Sequence, residues 1–128
     1  MLDYIKTHRK WIVYLPLGSY WLLLFVLTSL PSDDLPSVSL NDKVEHFLAF
    51  FGLGFLLNLT LFLQEKYSLT IVKAALYTFI FGALYGAADE LHQLFIPGRV
   101  CDIIDWTADS IGILLGVIVI NLIIKLLK

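Results

Sequence analysis

Charged and polar residues interrupt the apolar second half of this chain between residues 89 and 116. The stretch, DELHQLFIPGRVCDIIDWTADSIGILLG, contains four aspartates, one glutamate, one histidine and one arginine. A charged side chain inside a membrane costs a few kcal/mol, so such residues are candidates for a functional site. The chemistry that these residue types support is metal binding, proton transfer or recognition of a charged ligand.

Carboxylates together with an imidazole predict a divalent-metal site as one hypothesis. Hard oxygen donors combined with an imidazole suit Mg²⁺, Mn²⁺, Ca²⁺ or Zn²⁺. The donors would come from three helices and no compact metal-binding motif joins them, so the identity of the metal stays open. The candidate ligands are Asp42, His46, Asp89, Glu90, Asp105 and Asp109.

Proton transfer is a second hypothesis for the same residues. Crowded carboxyl groups are candidates for this role, with Asp89 or Glu90 as general acid, His46 as base and Asp105 as a further catalytic candidate. Arg99 can hold a phosphate or carboxylate bidentately at the membrane surface. These parts together suit a hydrolase or transferase that acts on a lipid-linked phosphate.

A third hypothesis is that the charges satisfy one another and bind no ligand. In this network Arg99 bridges Asp102 or Asp105. Lys43 pairs with Asp42, Glu45 or Glu90 in the same network. The acids, however, outnumber these two bases: they are Asp42, Glu45, Asp89, Glu90, Asp102, Asp105 and Asp109. A local charge near −5 therefore calls for protons, imidazolium groups or a bound cation.

The composition places these residues in a membrane protein. Hydrophobic residues make up 59% of the 128 residues and charged residues 16%, against roughly 25% in soluble domains. The net charge of −2 gives no basic surface, so nucleic acid is not an expected partner. The single cysteine excludes an intramolecular disulfide and a cysteine-cluster metal site.

Four segments are long and apolar enough to cross a bilayer, which takes about 20 residues. They cover residues 11–30, 44–63, 71–95 and 103–127. The first lacks a signal-peptide cleavage site and is expected to be retained as a helix. The connections, residues 31–43 and 64–70 and the turn at Pro97-Gly98, are short. The sequence therefore predicts a single all-α domain over residues 1–128, an integral membrane four-helix bundle.

The distribution of lysine and arginine predicts the orientation. Seven lysines and arginines lie at helix ends on the same side of the membrane as the two termini. Only Lys43 and Arg99 lie on the opposite side. The seven are Lys6, Arg9, Lys10, Lys66, Lys73, Lys125 and Lys128. Both termini are therefore expected in the cytoplasm, with the charged cluster on the periplasmic or extracellular side of the membrane.

Helical spacing predicts one polar stripe on each of the last three spans. The second span has Asp42 and His46 on one face. The stripe of the third is Gly82, Tyr85, Gly86, Asp89 and Gln93, and that of the fourth is Asp102, Asp105, Asp109, Gly112 and Gly116. The GxxxG patterns within the last two let helices approach closely and are expected in the bundle interior, although a dimer could also use them.

The motifs DKVEHFLAFFGLG (residues 42–54), DELHQLFIPGR (89–99) and DWTADSIGILLG (105–116) resemble those of the VanZ-like family of small bacterial membrane proteins. Two departures are that Phe50 stands where many relatives have tyrosine and Asp109 where asparagine is frequent. The motif positions that carry over as ligand-binding candidates are Asp42, Lys43, His46, Asp89, Glu90, Gln93, Arg99, Asp105 and Asp109.

The founding member of that family is associated with resistance to the glycopeptide antibiotic teicoplanin. The resemblance therefore implies a membrane protein that modulates glycopeptide susceptibility at the cell envelope. Its expected partners are the lipid bilayer and either the antibiotic or a lipid-linked cell-wall precursor. The oligomeric state stays open.

Overall fold

The computed structural model describes residues 1–35 and 41–127, and every regular element in these ranges is helical. The helices are α1 (Leu2–Thr7), α2 (Leu15–Ser29), α3 (Asp42–Leu63), α4 (Ile71–Gln93) and α5 (Ile103–Leu126). A π-helical segment, Lys10–Tyr14, connects α1 to α2. A short 3₁₀ turn, Ser32–Asp34, follows α2.

The predicted all-α, four-helix membrane bundle is confirmed. Four described segments are long and apolar enough to span a bilayer: Lys10–Ser29, α3, α4 and α5. Their surfaces are apolar as well, with Leu22, Phe81 and Leu84 each more than half exposed. A bilayer provides the apolar environment that such a surface requires.

The helix boundaries differ from the predicted ones by a few residues, and the local chemistry explains why. Side-chain oxygens of Asn41, Thr70 and Asp102 accept backbone N–H groups at the starts of α3, α4 and α5. The cap at Asn41 places the start of α3 at Asp42 instead of residue 44. Leu30 is extended before Pro31, so α2 ends at Ser29.

The third span ends two residues before its approximate predicted end at residue 95. α4 ends at Gln93, and the residues after it as far as Ile96 form turns in which each backbone N–H donates to the carbonyl three residues earlier. Pro97 has no N–H to continue a helix, and Gly98 adopts a φ of +76° that favours glycine. Of the predicted loop over 31–43, residues 36–40 lie outside the described residues, as does Lys128.

The closest helix pair is α3 with α5, which run parallel. The Cα of Gly112 faces the backbone carbonyl of Phe47, and Gly116 faces that of Phe51, so a Cβ at either glycine would collide with α3. Gly54 of α3 meets the backbone of Ile113 in the same way. Small residues thus bring the two backbones together, as the GxxxG pattern predicts for the bundle interior.

The remaining helices pack around this pair. α4 runs antiparallel to α5, where Gly82 lies against Ile113 and Gly86 against Asp109. Trp106 Nε1 donates to the carbonyl of Ala83 at 2.9 Å and joins the same two helices. α2 contributes Leu24 to a core that also contains Phe50, Leu53, Ile113 and Val117.

The α3–α5 contact predicts that a methyl group at Gly116 destabilises the bundle. Gly116→Ala places a Cβ against the backbone carbonyl of Phe51, which cannot move aside as a side chain can, and overpacking of this kind costs about 1–3 kcal/mol. The measurement is thermal unfolding of the detergent-solubilised protein, together with its abundance in membranes. Gly18→Ala is the control, since no atom of the described residues lies within 4 Å of its Cβ position, and equal stability of both variants would contradict the packing.

Candidate functional site

The charged cluster lies at one end of the bundle because α3 and α5 are parallel and α4 is antiparallel. The N-terminal turns of α3 and α5 therefore meet the C-terminal turn of α4 at the same end. Acidic residues suit the N-terminal turns, where they interact favourably with the helix dipole. The buried members of the cluster are Asp89, Glu90, Gln93, Asp105 and Asp109.

His46 is surrounded by four carboxylates from three helices. Its side chain is 10% exposed, and its Nδ1 atom lies 2.9 Å from Asp109 Oδ1 and 3.7 Å from Glu90 Oε1. On the other side of the ring, Nε2 lies 3.9 Å from Asp42 Oδ1 and 4.0 Å from Asp105 Oδ2. An ionised carboxylate only accepts hydrogen bonds, so the Nδ1–H of His46 donates to Asp109.

Asp109 is fully buried, and its second oxygen, Oδ2, has no hydrogen-bond partner among the described residues. This oxygen points towards Gly86, whose Cβ position would be 3.3 Å away. A larger residue at position 86 would compete with the carboxylate for space. The glycine in α4 therefore makes room for the buried acid of α5.

A chain of hydrogen bonds connects the end of α4 with the beginning of α5. Gln93 Nε2 donates to Asp89 Oδ2 at 3.3 Å and to Glu90 Oε1 at 3.5 Å. Glu90 Oε2 in turn accepts the backbone N–H of Asp102 at 2.9 Å. These bonds fix Glu90 beside His46 and hold the turn between the helices in place.

Lys43 is the cation that contacts the carboxylates. Its Nζ atom lies 2.6 Å from Asp105 Oδ1, 3.0 Å from Asp102 Oδ2 and 3.9 Å from Asp42 Oδ2. The predicted pairing with Asp42 is confirmed, whereas the ion pairs among the described residues do not join Lys43 to Glu45 or Glu90. The backbone N–H of Ile104 and the Lys43 ammonium lower the pKa of Asp102.

The prediction that Arg99 bridges Asp102 or Asp105 is wrong. Arg99 Nε donates to the carbonyl of Leu30 at 3.3 Å, and Nη2 donates to that of Leu27 at 2.9 Å. The last carbonyls of a helix have no partner within the helix, and Arg99 satisfies them at the end of α2. The guanidinium therefore anchors the first span and leaves Lys43 to neutralise the carboxylates.

A cavity of about 200 Å³ leads from α2 to the cluster. Its apolar wall comes from Leu24, Leu27, Leu35, Ala49 and Phe50, and its polar end from Asp42, Glu45, His46, Asp89 and Arg99. Sequence reasoning assigned the polar residues to this end but missed the contribution of α2, because this span has no polar stripe.

Two sets of side chains could hold a metal ion. Asp42, His46 and Asp105 form one, and His46, Glu90 and Asp109 form the other, with the donor atoms of each set within 4.8 Å of one another. Five of the six predicted metal ligands are thereby brought together in the described part of the chain. Asp89 belongs to neither set and instead accepts from Gln93.

A second set of buried polar side chains was not predicted from the sequence. Asn58 Nδ2 donates to Asn121 Oδ1 at 2.8 Å, and Thr78 Oγ1 donates to Asn58 Oδ1 at 3.3 Å. Asn58 and Thr78 are fully buried. An asparagine in each of two apolar spans was the available signal, since polar side chains in membrane helices bond across helices.

Comparison with known proteins gives one family. The family model described as VanZ/LLP1 matches residues 3–125, so it covers the first span as well as the three that carry the motifs. No curated protein and no solved structure matches the chain.

The ion pair of Lys43 with Asp105 predicts that removing the ammonium alone is costly. Lys43→Gln leaves the 5%-exposed Asp105 carboxylate without its closest cation, so we expect a loss of about 1–3 kcal/mol in the free energy of unfolding. Lys66→Gln, at an exposed position away from the cluster, is the control. The double variant Lys43→Gln/Asp105→Asn should recover most of the loss, and failure to recover it would show that the pair is not the cause.

Proposed function

This chain belongs to the VanZ/LLP1 family, and we propose that it modulates susceptibility to glycopeptide antibiotics of the teicoplanin type by binding a lipid-linked cell-wall precursor. The observation that carries the proposal is the cavity beside His46, because it joins an apolar wall to a charged end. A ligand with a hydrocarbon chain and a polar head group matches both parts. A free sugar or a free ion would make no apolar contact with the apolar wall of the cavity.

The charges at the polar end favour a particular arrangement of such a ligand. Arg99 lines the cavity, and its hydrogen bonds to other described residues use Nε and Nη2, which leaves the N–H groups of Nη1 for a phosphate oxygen. The carboxylates of Asp42 and Asp89 would repel the same phosphate unless a cation lies between them. The candidate ligand-binding residues of the motifs therefore act as one set, with Arg99 and a cation facing the anionic head group.

Sidedness follows from the charge distribution. Lysines and arginines concentrate at the end of the bundle opposite the cluster, where Arg9 Nη1 and Glu65 Oε1 are 2.6 Å apart. The positive-inside rule then assigns both termini to the cytoplasm and the cluster to the outer face of the cytoplasmic membrane. Lipid-linked precursors complete their assembly into the wall on that outer face.

The single cysteine provides a direct test of this orientation. Cys101 is partly exposed in the turn between α4 and α5, beside the cluster. A membrane-impermeant maleimide added to intact spheroplasts is expected to label Cys101. A Cys101→Ser/Ser68→Cys variant, with its thiol in the opposite loop, should be labelled only after lysis. The reverse pattern would contradict the proposed orientation.

A second candidate function is a hydrolase or transferase that acts on the lipid-linked phosphate. The observation that favours it is the orientation of His46, since Asp109 holds the Nδ1–H and the residue lines the cavity. A fixed imidazole with a free nitrogen is the arrangement that general bases and metal ligands share. The buried Glu90, 3.7 Å from the ring, is the candidate acid.

The susceptibility of cells expressing the protein tests both candidates. We expect expression to raise the teicoplanin concentration needed to inhibit growth, and Asp89→Asn to reduce the effect partially if the cluster only binds. Nearly complete loss in His46→Gln or Glu90→Gln, at unchanged membrane abundance, would favour the enzyme. Asp33→Asn, an exposed acid outside the cluster, is the control.

Two results would overturn the proposal. Expression with no change in susceptibility would remove the antibiotic function, and abundance that falls in parallel with resistance in every variant would favour a purely structural network. Membrane abundance is therefore measured in each strain by immunoblotting.

A further inference from the structure

We propose that His46 Nε2, Asp42 and Asp105 bind a divalent transition-metal ion, Zn²⁺ or Mn²⁺, at the polar end of the cavity. The ring is nine-tenths buried, and Nε2 has no hydrogen-bond partner among the described residues. It faces one carboxylate oxygen from its own helix and one from α5, at 3.9 and 4.0 Å. With the Nδ1–H donated to Asp109, the lone pair of the ring lies on Nε2, which faces Asp42 Oδ1 and Asp105 Oδ2. The Lys43 ammonium contacts the other oxygen of each carboxylate, so these three donor atoms form a candidate cation site.

The spacing of the three donor atoms suits a metal after a small contraction. Metal–ligand bonds of about 2.1 Å in tetrahedral geometry place neighbouring donor atoms about 3.4 Å apart. The two recorded distances from Nε2 exceed this value by roughly half an ångström. Asp42 is the mobile partner, because its side chain is 59% exposed and lies in the first turn of α3.

The surroundings of the triad match those of known metal-binding histidines. Such a histidine usually donates its other ring N–H to a carboxylate, which fixes the tautomer and strengthens the ligand. Asp109 Oδ1 does this for His46 at 2.9 Å. Lys43 likewise holds Asp105 Oδ1 at 2.6 Å, which leaves Oδ2 of that carboxylate directed at His46.

The same hydrogen bond argues against the deeper set of donors. A metal held by His46, Glu90 and Asp109 would have to displace the Nδ1–H bond to Asp109, whereas a metal on Nε2 leaves it intact. Asp42 and His46 also line the cavity, so a metal on Nε2 keeps open coordination positions that face the space available to a ligand. Three protein ligands with an open position are typical of catalytic metal sites.

Donor type and charge select the class of metal. One imidazole with two carboxylates suits Zn²⁺ or Mn²⁺ better than Ca²⁺, which prefers oxygen ligands alone. The double positive charge offsets two carboxylates that Lys43 only partly neutralises. The inference rests on the proposed function in one respect: the metal would allow an anionic head group to approach a cluster that otherwise repels it.

Elemental analysis of the full chain, purified in detergent without chelator, tests the site. We expect about one bound Zn²⁺ or Mn²⁺ per protein, removable by a chelator and restored by titration of either metal alone. Substitution with Co²⁺ should give visible absorption bands that report direct coordination. Asp42→Asn should lose most of the metal while it stays folded, because Asp42 is exposed.

Matched variants separate this site from its alternatives. Glu45→Gln removes a carboxylate that lines the same cavity but is not a ligand, and it should retain the metal. Asp109→Asn should weaken metal binding by about 10–100-fold through misorientation of His46. Loss of metal in Glu90→Gln with retention in Asp42→Asn would overturn the proposal in favour of the deeper set.

Absence of stoichiometric metal, with no Co²⁺ spectrum and no gain in thermal stability on adding Zn²⁺ or Mn²⁺, would also overturn it. Resistance in cells distinguishes this failure from that of the proposed function. A metal-free protein that still alters teicoplanin susceptibility refutes the metal site alone, and a metal-binding protein without effect on susceptibility refutes the function alone.

Discussion

The parallel, glycine-mediated contact between α3 and α5 is the constraint on which the rest of this molecule depends. Gly112 and Gly116 bring the backbone of α5 against that of α3, and Gly54 does the same from the opposite side. Because the helices are parallel, both N-terminal turns lie at the same end of the bundle. Lys43 can then reach Asp105, and His46 can reach Asp109, although each pair is separated by about sixty residues in the chain.

This arrangement concentrates negative charge at one end of the bundle, where Asp89, Glu90, Asp105 and Asp109 are buried. Lys43 contacts three carboxylates, while Arg99 binds carbonyls at the end of α2. Seven acids therefore face one ammonium and one imidazole, a balance that a purely structural network would not be expected to favour. Asp109 Oδ2, which has no hydrogen-bond partner in the part of the chain that the structure describes, is a local sign of the same imbalance.

Much of the fold could be predicted from the sequence, since each span is an uninterrupted apolar run and helical spacing identified the faces that meet. The contacts of Arg99 and the contribution of α2 to the cavity could not be predicted from the sequence. Arg99 lies among acids in the sequence, and nothing there shows that unpaired helix-end carbonyls would compete for it. α2 has no polar stripe, so its leucines gave no sign that they line the cavity. The contact of Lys43 with Asp102 likewise depends on the helix orientation and not on any spacing.

The binding of Arg99 to the carbonyls of α2 affects the electric field in the cavity. Its positive charge stays at the cavity but on the α2 side, while the carboxylates of Asp42 and Asp89 line the same space from α3 and α4. Opposite charges held around one small cavity produce a directed field across it. We expect this field to favour one orientation of a head group with separated charges over the reverse orientation.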